Sequence, residues 1–361
     1  MKIKKPTLLL NEDVLRRNII RMADKVRNHR LQFRPHFKTH QSAGIGDLLG
    51  EYGVTKITVS SVSMAQYFAG SGWNDIFIAF PVNILEIEEI DELASKINLH
   101  LAVESAETVD KLAKQLKSPV GVYLKIDTGY HRTGIPADDF ERVEFILRKV
   151  EKAPNLSISG FFTHAGHTYD ASGQEDIIKI HTDSLEKLVK LKERFSNEFP
   201  GIIVSIGDTP ASSLANDFTG ADELRPGNFV FYDLMQYYLG ACKTDDIAVA
   251  LAVPVVAKHK ERNEIVVQGG AVHLSLDSVR INNRNMYGLV AGINENGWSE
   301  PFDETFVVSL SQEHGIIKTP DEVFRSINVG DIIAILPVHS CLTANLAKEY
   351  LTIDGRIIKK F

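Results

Sequence analysis

The densest cluster of reactive side chains lies in Phe33-Arg-Pro-His-Phe-Lys-Thr-His40. Side chains alternate between the two faces of a strand. If this segment stays extended, Arg34, His36, Lys38 and His40 share one face, and Phe33, Phe37 and Thr39 take the other. Four basic groups on one face are costly unless an anion sits among them. Neighbouring positive charge lowers a lysine pKa, which makes Lys38 a candidate amine nucleophile. Pyridoxal phosphate (PLP) would supply both an aldehyde for the amine and a phosphate for the cations. The same pattern also fits a solvated edge strand with scattered charges.

Two further groupings carry chemistry. Gly207-Asp-Thr-Pro210 joins a residue that permits close backbone approach to a hydroxyl donor at Thr209, which suits a phosphate; an ordinary turn with a helix cap is the plainer alternative. His339-Ser-Cys341 sets an imidazole and a thiol two residues apart. On an extended segment they point the same way and offer two zinc ligands. A buried structural cysteine would give the same pattern.

Positioning such groups takes a large frame. Strand-like segments recur at residues 31–40, 56–62, 75–80, 98–104, 120–127, 157–164, 202–206 and 223–232. Helical spacing appears at 11–29, with Asn11 as N-cap, and at 84–96, 105–116, 138–152 and 176–195. Eight such units predict an α/β fold, a (β/α)8 TIM-type barrel. An open doubly wound sheet is the alternative, but no Gly-x-Gly-x-x-Gly follows the first strand. In a barrel, phosphates sit at the loops after strands seven and eight, which is where Gly207 and Thr209 fall. Beyond about residue 241 the texture turns to valine-rich strands at 248–257, 264–268, 306–310, 331–337 and 350–353. The expected domains are 9–240, a PLP-binding barrel, and 241–361, a smaller, mostly β domain that residues 1–8 could join.

Composition narrows the function classes. The 361 residues are 44% hydrophobic and 24% charged, with a net charge of −7, so no basic excess supports nucleic-acid or membrane-surface binding. The longest apolar run, 247–257, holds Pro254 and is far short of a membrane span of about 20 residues; it reads as a buried strand. Two cysteines exclude a disulfide framework, and no signal-peptide core opens the chain. A cytoplasmic protein is expected.

Arg34-Pro-His-Phe-Lys-Thr-His40 resembles the lysine motif of the D-serine dehydratase/D-threonine aldolase family, fold-type III PLP enzymes with an alanine racemase-like barrel plus a β domain. Lys125-Ile-Asp-Thr-Gly-Tyr-His-Arg-Thr-Gly134, Thr163-His-Ala-Gly-His-Thr-Tyr169, Gly207-Asp-Thr-Pro-Ala-Ser-Ser213, Glu223-Leu-Arg-Pro-Gly227, Ser311-Gln-Glu-His-Gly315 and His339-Ser-Cys-Leu-Thr343 extend the likeness in order along the chain. The resemblance implies a Schiff base between PLP and Lys38, with His36, Arg132 and Tyr169 around the cofactor and Gly207, Thr209 and Tyr232 at its phosphate. Arg132 is expected near the pyridine ring, and His164 lies on the same strand-end loop as Tyr169, where a plain surface-loop role is the alternative to facing the cofactor. His339 and Cys341 are the implied metal ligands. A thiolate favours zinc, though another divalent metal is possible in this family.

The activity so implied is lyase chemistry on a small-molecule D-amino acid. The leading expectation is β-elimination from a β-hydroxy-D-amino acid to a keto acid and ammonia, because dehydratases of this type carry His-x-Cys where D-threonine aldolases carry His-x-Asp. Aldolase cleavage to glycine and an aldehyde is the alternative. A racemase is a third, with Tyr287 as the nearest second acid/base, and a non-catalytic PLP carrier a fourth. The resemblance also implies a homodimer.

Overall fold

Eight short parallel strands, most of them centred on buried apolar residues, build the barrel in a computed structural model that describes residues 3–281 and 283–361. The chain divides into two compact units. One takes in Arg21–Lys38 and Leu49–Gly227; the other gathers the N-terminal segment up to Ile20 with Thr39–Leu48 and Asn228–Lys360.

The first unit is the barrel. Its strands are Gln32–Phe33, Ile57–Val59, Asp75–Pro81, Asn98–Val103, Val120–Asp127, Leu156–Phe162, Ile203–Ile206 and Glu223–Leu224. Each pairs in parallel with its sequence neighbours, and the eighth returns to the first through Glu223 opposite Gln32. The ring closes between the first two strands. His36 bridges to Thr58, the Phe37 N–H donates to Thr58 O at 2.8 Å and the Thr58 N–H to Pro35 O at 2.9 Å. Val120–Asp127 is buried along nearly its whole length, as a parallel strand covered on both faces must be. The covering helices are amphipathic. In Phe140–Lys152, Val143, Ile146, Leu147 and Val150 face inward at helical spacing, and Asp139 caps the first turn through the Arg142 N–H.

Inside the barrel, Phe77, Tyr123 and Phe162 pack around a polar hub. The Arg34 Nε donates to Glu223 Oε2 at 2.6 Å and its Nη1 to Asp75 Oδ1 at 2.5 Å. Glu223 Oε1 accepts from Ser205 Oγ at 2.7 Å, and Ser205 Oγ accepts from Arg225 Nε at 2.6 Å. Burial works against the Arg34 charge, yet Glu223, Tyr123 and Asp75 hold its pKa above the usual arginine value. Glu223→Ala would leave Arg34 buried with half its counter-charge. The expected loss is about 3–5 kcal/mol, read from denaturant midpoints. A loss under about 1 kcal/mol, the scale of a surface pair, would show that the hub does not hold the ring.

The second unit is built on one nine-stranded sheet. Six of its strands close on themselves: Val249–His259, Glu264–Gln268, His314–Lys318, Gly297–Leu310, Gly288–Asn294 and Ile332–Pro337, the last pairing back onto the first. Leu251, Val253, Ile265, Val267, Val290, Ile317, Ile333 and Ile335 fill the ring. The apolar run around Pro254 thus forms a buried strand, bulged at Val256. Thr7–Leu10 joins the sheet beside Val249–Ala252 and Leu351–Thr352. Among the described residues, no helix is long and apolar enough to cross a membrane.

Candidate active site

The first strand does not run to His40. It ends at the His36 bridge, and residues 37–40 form a turn. Phe37 is buried against Phe68 and Trp73, each ring at 5.0 Å, and Gln41 takes a left-handed φ of +51°. The shared basic face therefore does not form. Arg34 turns into the barrel hub, His40 is buried, His36 is half-buried, and only Lys38 is exposed. Lys38 offers its backbone N–H to His36 Nδ1 at 3.3 Å. The expected eighth strand also stops early, at Leu224, because Pro226 has no N–H to continue the ladder.

The barrel unit brings several named residues together at the C-terminal strand ends. His164 is half-buried, and its Nδ1 donates to Gly207 O at 3.0 Å. Burial, then the positive charge of Lys38, hold its pKa well below the usual histidine value. With Nδ1 donating, Nε2 is the free acceptor of a neutral imidazole. Tyr169 packs against His164 at 6.2 Å. Arg132 is exposed and lies over the Tyr130 ring at 5.0 Å, while His167 stacks on that ring at 6.0 Å. Gly166 has no room for a side chain, since a Cβ there would meet Tyr130 at 2.3 Å.

Gly207 forms part of a cradle. Its φ is +155°, and a Cβ would lie 2.6 Å from the Arg225 backbone. Asp208 caps the next helix through the Ala211 N–H at 2.8 Å and accepts from Thr168 Oγ1 at 2.9 Å. Thr209 Oγ1 and Ser212 Oγ are buried with no hydrogen-bond partner among the described residues. Two orphaned hydroxyls beside a glycine suit an anion's oxygens. Ser212 was given no role by the sequence reading, although it lies in the quoted segment.

Two cations deeper in this unit are also notable. Lys125 is buried, with Nζ 4.6 Å from the centre of the Phe162 ring. Burial, then Arg225 and Arg132, push its pKa down to about 7, against Asp127 and Glu104. Between that value and the ordinary 10.5 the unfolded chain binds more protons, so this lysine makes stability rise with pH across that window. Lys125→Met should flatten the rise; melting temperatures of both proteins from pH 7 to 10 test this, and parallel curves would refute it. Arg225 is buried, hydrogen-bonded to Ser205 and, at 2.7 Å, to Thr163 O; burial lowers its pKa to about 10. Sequence reading assigned it no function.

The remaining candidates belong to the second unit. Tyr232 is buried with φ +47°, its N–H on Asn228 O at 2.8 Å. His339 ends the stretch after Ile332–Pro337, and Cys341 lies in the helix Ser340–Leu346. His339 Nδ1 meets Asp277 Oδ2 at 2.5 Å. Burial opposes the imidazolium, but Asp277 and Cys341 raise the His339 pKa to about 11. Burial opposes the thiolate, but His339 lowers the Cys341 pKa. Asp233 accepts from the Ser340 N–H and from Asn228 Nδ2, fixing the start of the helix. Among the described residues, no three His, Cys, Asp or Glu side chains form a metal-binding group. The donor pair nonetheless fits a metal that takes its other ligands from solvent or substrate: an imidazole with Nδ1 held by a carboxylate, and a thiol with its proton easily lost. Asp277 was missed because it lies 62 residues from His339.

Residues 10–234 match the alanine racemase N-terminal domain, and residues 248–353 match the serine dehydratase domain. A D-serine dehydratase from Dictyostelium discoideum is 30% identical, over 99% of this chain and 95% of its own. A 3-hydroxy-D-aspartate aldolase from Paracoccus denitrificans is 25% identical over 99% of this chain and 90% of its own. The solved D-threo-3-hydroxyaspartate dehydratase from Delftia sp. HT23 superposes with a TM-score of 0.93 at 25% identity, covering 100% of this chain and 98% of that one. A cysteine-to-alanine mutant of the same enzyme, described as in the metal-free form, gives the same score. A barrel and a β domain matched in sequence order, over almost the whole chain, show that this protein belongs to the alanine racemase N-terminal domain family, in the branch that carries a serine dehydratase domain.

Proposed function

We propose that this protein is a PLP- and zinc-dependent lyase that eliminates water from a β-hydroxy-D-amino acid, giving a keto acid and ammonia. The His339–Cys341 pair, braced by Asp277, carries this reading, because elimination needs help for a poor leaving group and these side chains can hold a Lewis acid. When bound, PLP supplies an electron sink at Cα and the metal polarises the β-hydroxyl.

The chain's own residues do the rest. Lys38 anchors the cofactor and takes the Cα proton. Thr209 and Ser212 donate their hydroxyls to phosphate oxygens, Gly207 lets the backbone approach, and Tyr232 adds a further donor. His164, fixed on Gly207 O, keeps the phosphate loop in place. Arg132, Tyr169 and His36 surround the ring. The substrate would lose its Cα proton to Lys38 and its β-hydroxyl as hydroxide, together one water; the enamine left by that loss would tautomerise to an imine, which a second water hydrolyses to keto acid and ammonia. The thiolate favours zinc over magnesium or manganese.

Incubation with D-serine, D-threonine and D-3-hydroxyaspartate, with assays for keto acid and for glycine, tests the reading. Keto acid with ammonia supports it; glycine with an aldehyde would replace it with an aldolase, and an L-enantiomer as sole product with a racemase. The family also favours a homodimer, expected in light scattering at twice the 40.2 kDa chain mass. A 40 kDa species at micromolar concentration would exclude it.

A further inference from the structure

The residue that follows Lys38 in the chain is a hydrogen-bond partner of the proposed metal ligand. Thr39 is fully buried, and its Oγ1 lies 3.3 Å from Cys341 Sγ, across 302 residues of sequence. Asn228 Nδ2 approaches the same sulfur at 3.5 Å. The segment carrying Thr39 is clamped within its unit. Tyr350 OH donates to His40 O at 2.6 Å, Gln41 Nε2 to Asn345 Oδ1 at 2.9 Å, and Ser42 Oγ to Lys359 O at 2.7 Å. The Thr39 hydroxyl is thus held in place rather than free to rotate away with its backbone.

We infer that Thr39 is a positioning residue for the metal: its hydroxyl donates to the Cys341 sulfur and orients that ligand, while its backbone joins directly to Lys38. The inference rests on the reading of His339 and Cys341 as metal ligands. A metal-bound sulfur has lost its proton and can only accept, so the hydroxyl must be the donor. Donors of this kind fix a ligand's lone-pair direction and spread its charge; losing one typically weakens metal binding about 10–100-fold. Asn228 supplies a second donor, so the loss should lie at the lower end, about 10-fold.

The test titrates zinc into PLP-loaded, metal-stripped protein against a chromophoric chelator. Thr39→Val keeps the shape and removes the donor; Thr39→Ser keeps the donor. The expected result is a zinc Kd raised about 10-fold in Thr39→Val and restored in Thr39→Ser, with PLP still bound at Lys38 in both. A Kd within twofold of native for Thr39→Val, or an equal loss in Thr39→Ser, would overturn the inference, as would loss of PLP together with zinc. His339→Ala is the control for the underlying reading: if it binds zinc as tightly as native protein, the metal assignment itself has failed.

Discussion

Lys38→Ala is expected to abolish keto-acid formation. Loss of a positioned proton-transfer group alone costs roughly 10²–10⁴-fold in rate, and here the same residue also anchors the cofactor. The rival amine is Lys125, because burial brings its pKa to about 7 and leaves it largely unprotonated in mildly basic solution. The two differ in access. Lys38 is exposed in a turn, whereas Lys125 is enclosed against Phe162. Borohydride reduction of the PLP-loaded protein, followed by peptide mapping, should find the adduct on the peptide containing Lys38. An adduct on Lys125, or an adduct surviving in Lys38→Ala, would move the cofactor to the other lysine. PLP should still bind weakly to Lys38→Ala, since the Thr209 and Ser212 hydroxyls and Gly207 are untouched.

Removal of the metal should have a comparably large effect on turnover and little on the fold. Lewis-acid help to a leaving hydroxide is worth several kcal/mol, so chelation should lower kcat by about 10²-fold or more. The fold should survive because the six-stranded ring is packed by its own valines, isoleucines and leucines, with His339 and Cys341 outside that core. Zinc should restore native activity but neither Cys341→Ala nor His339→Ala. Unfolding on chelation would make the metal structural. Full activity in protein shown by elemental assay to be metal-free would remove the elimination mechanism.

The barrel is readable from its sequence because most of its strands are short apolar runs between amphipathic helices. Val120–Asp127 and Phe140–Lys152 show both periods plainly. What the spacing could not show was where strands stop. Residues 34–40 alternate well enough for a strand, but aromatic packing of Phe37 and the clamp on His40 to Ser42 turn the chain after His36. Several strands of the second unit were also missed, among them His314–Lys318, whose polar first residue and Gly315 hide the pattern, and Thr7–Leu10, too short to weigh alone. Candidate site residues were legible where a motif carried them. Asp277, Asn228 and Thr39 were assigned nothing, because their roles come from partners 62, 113 and 302 residues away. Thr39 lies within the lysine motif, but alternation along an extended strand puts it on the face opposite Lys38.

The strand Thr7–Leu10 has a consequence for how the chain is made. Its partners, Val249–Ala252 and Leu351–Thr352, lie far along the sequence. Until the second unit forms, an apolar strand of three leucines has an unpaired edge while the barrel can already form. Contacts so distant in sequence are slow to close and leave a growing chain open to association with its neighbours. A fragment beginning after residue 10, or one restricted to residues 248–361, would lose this seam altogether. Refolding from denaturant should therefore show an early phase reporting barrel helices and a later one in which the two chain ends meet.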